Sequence, residues 1–369
     1  MCSTNPMCDV AQFRLKSSIM SRFPHLQSLD GPVLLTGHTG FKGSWMSHVL
    51  KKLEIPSVGI SLPKNLETSG LISDVSEIDL EFFQDLTNYK KTKKLIQEIE
   101  PSIVFHMAAQ PIVSNSYTST RETFETNVMG TVNLLEALRD SHRVKCVAVV
   151  TTDKVYQNNE SGKAFVESDS LGATDPYGAS KIGTEAAVMA FQAIYSKRDI
   201  PVITLRAGNV IGGGDLGIDR IIPDLVRSLT TNNEIYVRNL DGVRPWQHIL
   251  DPLHGYLLAV ESALENNNSE SFNFGPPESE NINVRELIAI FETALDFEEK
   301  LRIQASSAVF QEAKTLYLNS TKARKLLNWH PKYTGEEAIK SSAIWWKAVL
   351  TGKSPLETTK LEVERYFND

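Results

Sequence analysis

Two short segments of the sequence carry side chains that could move protons to and from an alcohol. They read YGASK and VVTTDKVY, and their candidate catalytic residues are Thr152, Asp153, Lys154, Tyr177 and Lys181. Tyr177 and Lys181 are four residues apart at the start of a predicted helix, so they share one face. A nearby ammonium favours the phenolate and lowers a tyrosine pKa from its usual value of about 10. We therefore predict that Tyr177 is a general base tuned by Lys181.

The segment VVTTDKVY ends a predicted buried strand. Ligands of open α/β sheets bind at the carboxyl ends of the strands, so Thr152, Asp153 and Lys154 are expected to face one cleft. Thr152 can form a hydrogen bond with a substrate hydroxyl beside Tyr177. Asp153 and Lys154 add an acid and an amine that alcohol oxidation alone does not need, which indicates additional proton transfers. The alternative is that both residues only cap the strand end in solvent.

A glycine-rich loop lies upstream, in the segment VLLTGHTGFKGSW. Gly37 allows a sharp turn after a strand, Gly40 lets the backbone approach a pyrophosphate, and Gly43 lets the following helix pack closely. The free N–H groups at the helix start would then bind phosphate oxygens. The predicted contacts of this dinucleotide cradle are Gly37, Thr39, Gly40, Phe41, Lys42 and Gly43. The alternative is a tight glycine turn with packing duties only.

The next strand leaves the choice between NAD and NADP open. A ribose-binding carboxylate is expected at its end, but the strand ends in Ser61 and Leu62. Lys64 would suit the additional phosphate of NADP. Asp85 and Leu86 follow a third short apolar segment, where a carboxylate could bind an adenine amino group. The alternative for Asp85 is an ordinary helix cap.

The scaffold that must bring these residues together is predicted from the apolar pattern. Short apolar runs alternate with longer helical patterns, which indicates an α/β fold with a doubly wound parallel sheet of the Rossmann type. The predicted strands are residues 32–36, 57–61, 102–106, 146–151 and 202–206. The predicted helices are residues 44–53, 89–98 with Thr87 as N-cap, 120–139 and 177–195.

The domain organisation is predicted from the point at which this alternation stops. Residues 27–208 form the predicted nucleotide-binding domain, to which the chain returns at about residues 246–275. Residues 209–245 and 276–350 form a smaller mixed α/β substrate-binding lobe. Residues 1–26 are irregular and are predicted to be an N-terminal extension.

The bulk composition excludes several classes of protein. The chain of 369 residues is long enough for a large core. Its content of 41% hydrophobic and 22% charged residues is ordinary for a globular protein. The formal net charge of −7 without a basic block argues against nucleic-acid binding. No apolar stretch approaches the roughly 18 residues of a membrane span, and no targeting segment is recognisable. Because Cys2, Cys8 and Cys146 lack metal spacing, we expect a cytoplasmic protein without a metal site.

Together, these motifs resemble the extended short-chain dehydrogenase/reductase family and, within it, the CDP-glucose 4,6-dehydratase subfamily. The resemblance covers about residues 23 to 346 and includes TGHTGFKGSW, HMAAQPIV, TNVMGTVNLLEA, TTDKVY, YGASK, RAGNVIGGGD, DRIIPD and RPWQHILDPLHGYL. The glycine loop and the YxxxK motif are common to the whole superfamily. The subfamily is favoured by Lys154, the FKGSW continuation, the GGGD segment and the RPWQH segment.

The resemblance implies a three-stage reaction on a CDP-hexose, such as CDP-glucose, with no net oxidation. Tyr177 takes the proton of the sugar 4-OH, with Thr152 orienting that hydroxyl and Lys181 tuning the tyrosine. Asp153 then protonates the departing 6-OH after C5 has lost its proton. Lys154 is the hypothesised C5 base, because related dehydratases carry glutamate at this position. A 4-keto-6-deoxy sugar nucleotide is the implied product.

The resemblance also implies the cofactor, further contacts and the partner. NAD is the implied cofactor, with additional contacts from Ala108, Ala109 and Gln110. The implied contacts to the nucleotide end of the substrate are Asn209, Arg220 and Arg244. A homodimer is implied through the helices predicted at residues 120–139 and 177–195.

Two other functions and the nucleotide base stay open at this point. An epimerase, reductase or decarboxylase of another nucleotide sugar would need Thr152, Tyr177 and Lys181, but not Asp153 and Lys154 together. A non-catalytic NAD(P)-binding module would usually lack the tyrosine–lysine pair. Cytidine, thymidine and guanosine differ by a few hydrogen bonds from loop residues that sequence alone cannot place.

Overall fold

The computed structural model describes residues 22–63, 77–231, 233–237, 239–277, 282–297, 301–305 and 315–368. The strands, numbered along the chain, are β1 (Val33–Thr36), β2 (Ser57–Ser61), β3 (Leu80–Phe83), β4 (Ile103–His106), β5 (Cys146–Val150), β6 (Val202–Ala207), β7 (Val210–Ile211), β8 (Ile235–Val237), β9 (Val243–Arg244), β10 (Gln247–His248), β11 (Ser271–Phe274), β12 (Ile282–Asn283) and β13 (Ile303–Ala305). Lys64 and residues 1–21 of the predicted extension lie outside the described residues.

The helices are α1 (Pro24–Gln27), α2 (Phe41–Lys52), α3 (Tyr89–Ile99), α4 (Val113–Thr118), α5 (Thr120–Phe124), α6 (Gly130–Leu138), α7 (Pro176–Tyr195), α8 (Ile221–Thr231), α9 (Leu250–Asn266), α10 (Val284–Leu295), α11 (Thr321–Leu327), α12 (Gly335–Leu350) and α13 (Pro355–Asn368). Among the described residues, no helix has the length and apolar character needed to cross a membrane.

A seven-stranded sheet in the order β11-β6-β5-β4-β1-β2-β3 forms the centre of the molecule, and every pairing in it is parallel. Leu34 belongs to the apolar core on one face and Leu35 to the core on the other, as the two-residue repeat of a strand dictates. Helices therefore cover both faces, and the predicted doubly wound fold is confirmed. The order reverses at β1, between β2 and β4, where such sheets bind ligands.

The helix predicted at residues 120–139 is not continuous. A π-helical turn, Glu125–Met129, separates α5 from α6. The hydroxyls of Thr131 and Thr184 both donate to the carbonyl oxygen of Asn127, at 2.7 and 2.8 Å. Side chains that enter the backbone ladder in this way are a recognised cause of such bulges.

The N-cap of α3 is also different from the prediction. Asn88, and not Thr87, accepts the first-turn hydrogen bond, from the backbone N–H of Lys91. The backbone N–H of Thr87 instead donates to Asp85 Oδ1 at 2.8 Å, in a tight turn before the helix. Asn88 directly precedes the first helical residue, so its side-chain oxygen can reach the free N–H groups of the first turn.

After β6 the chain forms short strand pairs and helices outside the central sheet. The pairs are β7 with β10, β9 with β12, and β8 with β13. Between them the chain returns to the central sheet, where β11 pairs with β6. The helix α13 at the C-terminal end, which the sequence pattern did not predict, packs against α2, the helix that follows the glycine loop.

Candidate active site

The glycine loop links β1 to α2 in a form that only glycine allows. Gly37 has a φ of 75°, in the left-handed region. A Cβ added to Gly43 would lie 2.1 Å from the carbonyl oxygen of Gly37, so the start of α2 lies directly on the turn. Gly40 is the N-cap and has no side chain to occupy the free N–H groups of the first turn. These groups are therefore open to an anion.

The loop is supported where a ribose carboxylate was expected. The hydroxyl of Ser61, at the end of β2, accepts a hydrogen bond from the backbone N–H of Thr39 at 3.2 Å. The His38 ring lies over Gly59, where a Cβ would come within 2.5 Å of it, and its Nε2 is 3.1 Å from Glu81 Oε2. Ser61 therefore holds the loop itself and is not a substitute for the missing carboxylate.

A cavity of about 760 Å³ opens beside this loop, a size typical of small-molecule sites. Its lining includes the predicted residues Gly37, Thr39, Gly40, Phe41, Lys42, Gly43, Asp85, Leu86, Ala108, Ala109, Thr152, Asp153, Lys154, Tyr177, Lys181, Asn209, Arg220 and Arg244. Gln110 is not part of the lining. Its side-chain amide instead donates to Thr123 Oγ1 at 2.9 Å and to the carbonyl oxygen of Ile112.

The Thr-Asp-Lys segment forms a 3₁₀ turn, Asp153–Val155, directly after β5. Thr152 caps this turn, and its hydroxyl donates to Asp153 Oδ1 at 2.9 Å. Thr152 is also hydrogen-bonded to the side chain of Tyr177. The strand end thus brings an alcohol, a carboxyl and a phenol into direct contact.

Tyr177 and Lys181 are buried in the first turns of α7. Asp175 caps this helix by accepting from the N–H of Gly178 at 2.9 Å, and Pro176 begins it. Lys181 Nζ donates to the carbonyl oxygen of Val150 at 3.1 Å. Burial lowers the pKa of Lys181 to about 8, because the cavity disfavours the ammonium.

The pKa of Tyr177 moves in the opposite direction from the prediction. Burial raises it to about 12, the hydrogen bond with Thr152 and the charge of Arg220 lower it, and the charge of Asp153 opposes the phenolate. The expectation that Lys181 lowers this pKa was based on sequence spacing alone. In the structure the loss of hydration at Tyr177 is the larger effect.

Asp153 is enclosed in a way that favours its neutral form. Burial raises its pKa, although the charges of Lys154, Lys42 and Arg244 oppose that shift. Its Oδ2 has no hydrogen-bond partner within the described part of the chain, and it lies 3.1 Å from the position of a Cβ added to Gly208. A buried carboxyl with one unused oxygen can deliver a proton to a bound ligand.

Lys42 is placed among the catalytic candidates, which the sequence did not indicate. Burial lowers its pKa to about 8, the positive charge of Arg220 lowers it further, and the charge of Asp153 opposes this. Lys42 in turn lowers the pKa of Lys181. The side chain therefore extends from the glycine loop toward the catalytic groups.

The candidates for contacts to the nucleotide end of the substrate, Asn209, Arg220 and Arg244, also line the cavity. Arg220 donates to Asp215 Oδ2 at 2.8 Å, and its charge acts on Tyr177 and Lys42. Arg220 therefore lies within electrostatic range of two catalytic candidates.

The contacts that hold the loop before Arg220 were not predicted either. The indole N–H of Trp45, on α2, donates to the carbonyl oxygen of Gly213 at 2.9 Å. The Trp345 ring fills the space beside Gly213, where a Cβ would come within 1.9 Å of it. On the other side of the loop, the hydroxyl of Ser114 donates to Asp219 Oδ2. The loop that carries Arg220 is thus held at two places, by α2 and by α4.

The fold and this cavity define a dinucleotide-dependent enzyme of the short-chain dehydrogenase/reductase type, and comparisons with known proteins specify the family. The family profile described as GDP-mannose 4,6 dehydratase matches residues 34–342. The chain is 36% identical, over 345 residues, to the CDP-glucose 4,6-dehydratase of Salmonella typhimurium, covering 91% of this chain and 96% of that protein. The chain belongs to the nucleotide-sugar 4,6-dehydratase family.

Other relatives and solved structures are more distant. The dTDP-glucose 4,6-dehydratase of Shigella flexneri is 25% identical, covering 86% of this chain and 92% of that protein. The UDP-glucose-4-epimerase of Stenotrophomonas maltophila with bound NAD has a TM-score of 0.75 and 21% identity, covering 87% and 99% of the two chains. The dTDP-glucose 4,6-dehydratase of Bacillus anthracis in complex with NAD has a TM-score of 0.72 and 23% identity, covering 88% and 99%. At these identities the structures support the fold.

Proposed function

We propose that this protein dehydrates CDP-glucose to CDP-4-keto-6-deoxyglucose with NAD as resident cofactor. The observation that carries the proposal is the contact of Thr152 with both Asp153 and Tyr177 inside the cavity. An alcohol oxidation needs only the threonine, the tyrosine and Lys181. The buried carboxyl beside them supplies the acid that elimination of water requires.

The residues of the glycine loop fit a dinucleotide. Gly37 and Gly43 leave no room for side chains, and the first turn of α2 presents free N–H groups to a pyrophosphate. Asp85, Leu86, Ala108 and Ala109 line the same part of the cavity and would contact the adenosine half. NAD held by this loop would supply the capacity to accept a hydride from the sugar and to give it back within one turnover.

Tyr177 accepts the proton of the sugar 4-OH in this proposal. Thr152 orients that hydroxyl, and Lys181 holds the nicotinamide ribose. Because burial raises the pKa of Tyr177, the phenolate needs positive charge nearby. Arg220 is a cation whose charge acts in that direction.

The proton transfers of the elimination are assigned to Asp153 and Lys154. The 4-keto group acidifies C5, Lys154 takes the C5 proton, and Asp153 donates a proton to the 6-OH as the C6–O bond breaks. One water leaves, and C5 regains a proton when the double bond is reduced. Lys154→Ala should therefore still oxidise C4, which is seen as NADH absorbance, without releasing product. Full dehydration by this variant would refute the role of Lys154.

The remaining cavity residues would bind the nucleotide. Arg244 has the guanidinium fork that suits a pyrophosphate, and Asn209 can form hydrogen bonds beside it. We also propose that the enzyme acts in the cytoplasm. Cys146, the cysteine within the described residues, is a buried free thiol, in agreement with a reducing compartment.

We further propose a homodimer formed through α5, the π turn and α7. Phe124, Met129 and Met189 are 37%, 48% and 64% exposed on these adjacent helices. These three elements pack against one another, so the exposed side chains lie on one surface, and a contiguous apolar patch is the feature that marks an interface. Met189→Asp should give a monomer in size-exclusion chromatography with light scattering. The matched control Ile344→Asp, at a residue 57% exposed on α12, should remain dimeric. A dimeric Met189→Asp variant would contradict this assignment.

The decisive test of the proposed function compares CDP-, dTDP-, UDP- and GDP-glucose as substrates of the purified protein. Formation of a 4-keto-6-deoxy product from CDP-glucose is expected, with much slower reaction of the others. The control Tyr177→Phe, which loses only the phenol hydroxyl, should be inactive. Reaction with a non-cytidine substrate alone, or epimerisation at C4, would overturn the proposal.

A further inference from the structure

A buried ion pair lies beneath the segment from Thr151 to Tyr156, which we call the catalytic turn. Arg206 Nε and Nη2 donate to Glu185 Oε1 and Oε2, each at 2.8 Å. Glu185 is 2% and Arg206 4% exposed. A two-point bond of this kind fixes the orientation of both side chains as well as their distance.

Both ends of the catalytic turn are attached to this pair. At the start of the turn, the hydroxyl of Thr151 donates to Glu185 Oε1 at 2.6 Å. At its end, Arg206 Nη1 donates to the hydroxyl oxygen of Tyr156 at 2.8 Å. The phenol of Tyr156 donates onward to Asn273 Oδ1 at 2.7 Å. The residues between the two attachments are Thr152, Asp153, Lys154 and Val155.

The same ion pair also connects the catalytic turn to α7, the helix that carries Tyr177. Tyr177, Lys181 and Glu185 follow one another at intervals of four residues on α7, so they share one face of the helix. Lys181 binds the carbonyl of Val150 and Glu185 binds the hydroxyl of Thr151. Two consecutive residues of the strand end are therefore held by two consecutive turns of the helix.

We propose that Glu185 and Arg206 are positioning residues that hold the catalytic turn in register with Tyr177 through Thr151 and Tyr156. This inference rests on the proposed function, because it assigns a task to a pair that itself touches no substrate. Displacement of a catalytic group by about 1 Å can lower the rate of the chemical step by roughly 100-fold, and the effect falls on the chemistry more than on substrate binding.

The test uses Thr151→Val, which removes only the hydrogen bond to Glu185 and keeps the shape of the side chain. We expect kcat to fall by roughly 10-fold or more, with KM changed by less than about 2-fold. Thr151→Ser keeps the hydroxyl and should restore kcat to near the wild-type value. Thr204→Val is the matched control, since Thr204 is equally buried on β6 and loses a 2.7 Å bond to Ser271 away from the turn.

A second variant, at Tyr156, tests the attachment at the other end of the catalytic turn. It also keeps the proposal testable if Thr151→Val does not fold. Tyr156→Phe removes the hydroxyl bonded to Arg206 and should also lower kcat at unchanged KM. Equal kcat in Thr151→Val and Thr204→Val, or a Thr151→Ser variant as slow as Thr151→Val, would overturn the proposal. If Thr151→Val does not fold, normal kcat in Tyr156→Phe overturns it. The wild-type rate on CDP-glucose tests the proposed function separately, because the variants are compared on whichever nucleotide sugar the wild type dehydrates.

Discussion

The buried pair of Glu185 and Arg206 gives a prediction whose size follows from the structure. Arg206→Met leaves the Glu185 carboxylate buried with one hydrogen bond, from Thr151. Glu185→Leu leaves the guanidinium buried with only the Tyr156 oxygen and the Glu167 carbonyl as acceptors. Removal of one partner from a buried ion pair costs about 3–5 kcal/mol, so each single variant should lose that much free energy of unfolding.

The double variant should lose much less. Replacement of both charges by apolar side chains is often close to neutral, because no uncompensated charge remains. The unsatisfied hydroxyl of Thr151 costs about 1–3 kcal/mol, while Tyr156 keeps its bond to Asn273. The sum of the two single losses, about 6–10 kcal/mol, should therefore exceed the loss in the double variant by at least about 3 kcal/mol.

Equilibrium unfolding in urea measures all four proteins without cofactor or substrate. Activity does not enter this measurement, so it is independent of the proposed reaction. Additive losses in the double variant would refute the reasoning, because they would mean that the two charges do not compensate each other in the fold.

Two further predictions concern the cofactor loop and the pH dependence. Gly43→Ala should abolish NAD binding in a fluorescence titration, because its Cβ would lie 2.1 Å from the Gly37 carbonyl oxygen. The control Gly130→Ala should bind NAD normally, because the nearest atom to its Cβ lies 3.7 Å away. Normal NAD binding by Gly43→Ala would contradict the role of this loop as the dinucleotide cradle. The ammonium of Lys181, with its pKa near 8, is lost as the pH rises, so kcat should fall above about pH 8. Lys42→Met removes a charge that lowers this pKa, so the alkaline fall should move to higher pH, and an unmoved profile would contradict the coupling.

The parts of the site that sequence could predict depend on local geometry. The steric demands on Gly37 and Gly43 follow from one strand–turn–helix unit, and the spacing of Tyr177 and Lys181 follows from one helix. Thr152 could be placed because the carboxyl ends of parallel strands meet at one edge of the sheet. These inferences need only the local pattern and the fold class.

The remaining parts depend on contacts between distant segments. The raised pKa of Tyr177 reflects its burial and the charges of Asp153 and Arg220, which are distant in the chain and which a four-residue spacing does not contain. The π turn at Asn127 depends in part on a hydroxyl of Thr184, 57 residues away in the chain. The pairing of Glu185 with Arg206 and the contact of Trp45 with Gly213 likewise join different elements, so no periodicity in the sequence indicates them.

The central claim is that hydride moves from C4 to C6 within one sugar, and an isotope experiment tests it most directly. CDP-glucose labelled with deuterium at C4 is incubated with the protein and NAD in ordinary water, and the product is analysed by NMR and mass spectrometry. The account predicts a 4-keto-6-deoxy product that carries the deuterium at C6 and a solvent hydrogen at C5. Deuterium retained at C4 of an epimerised hexose, or a product with no deuterium at C6, would contradict it.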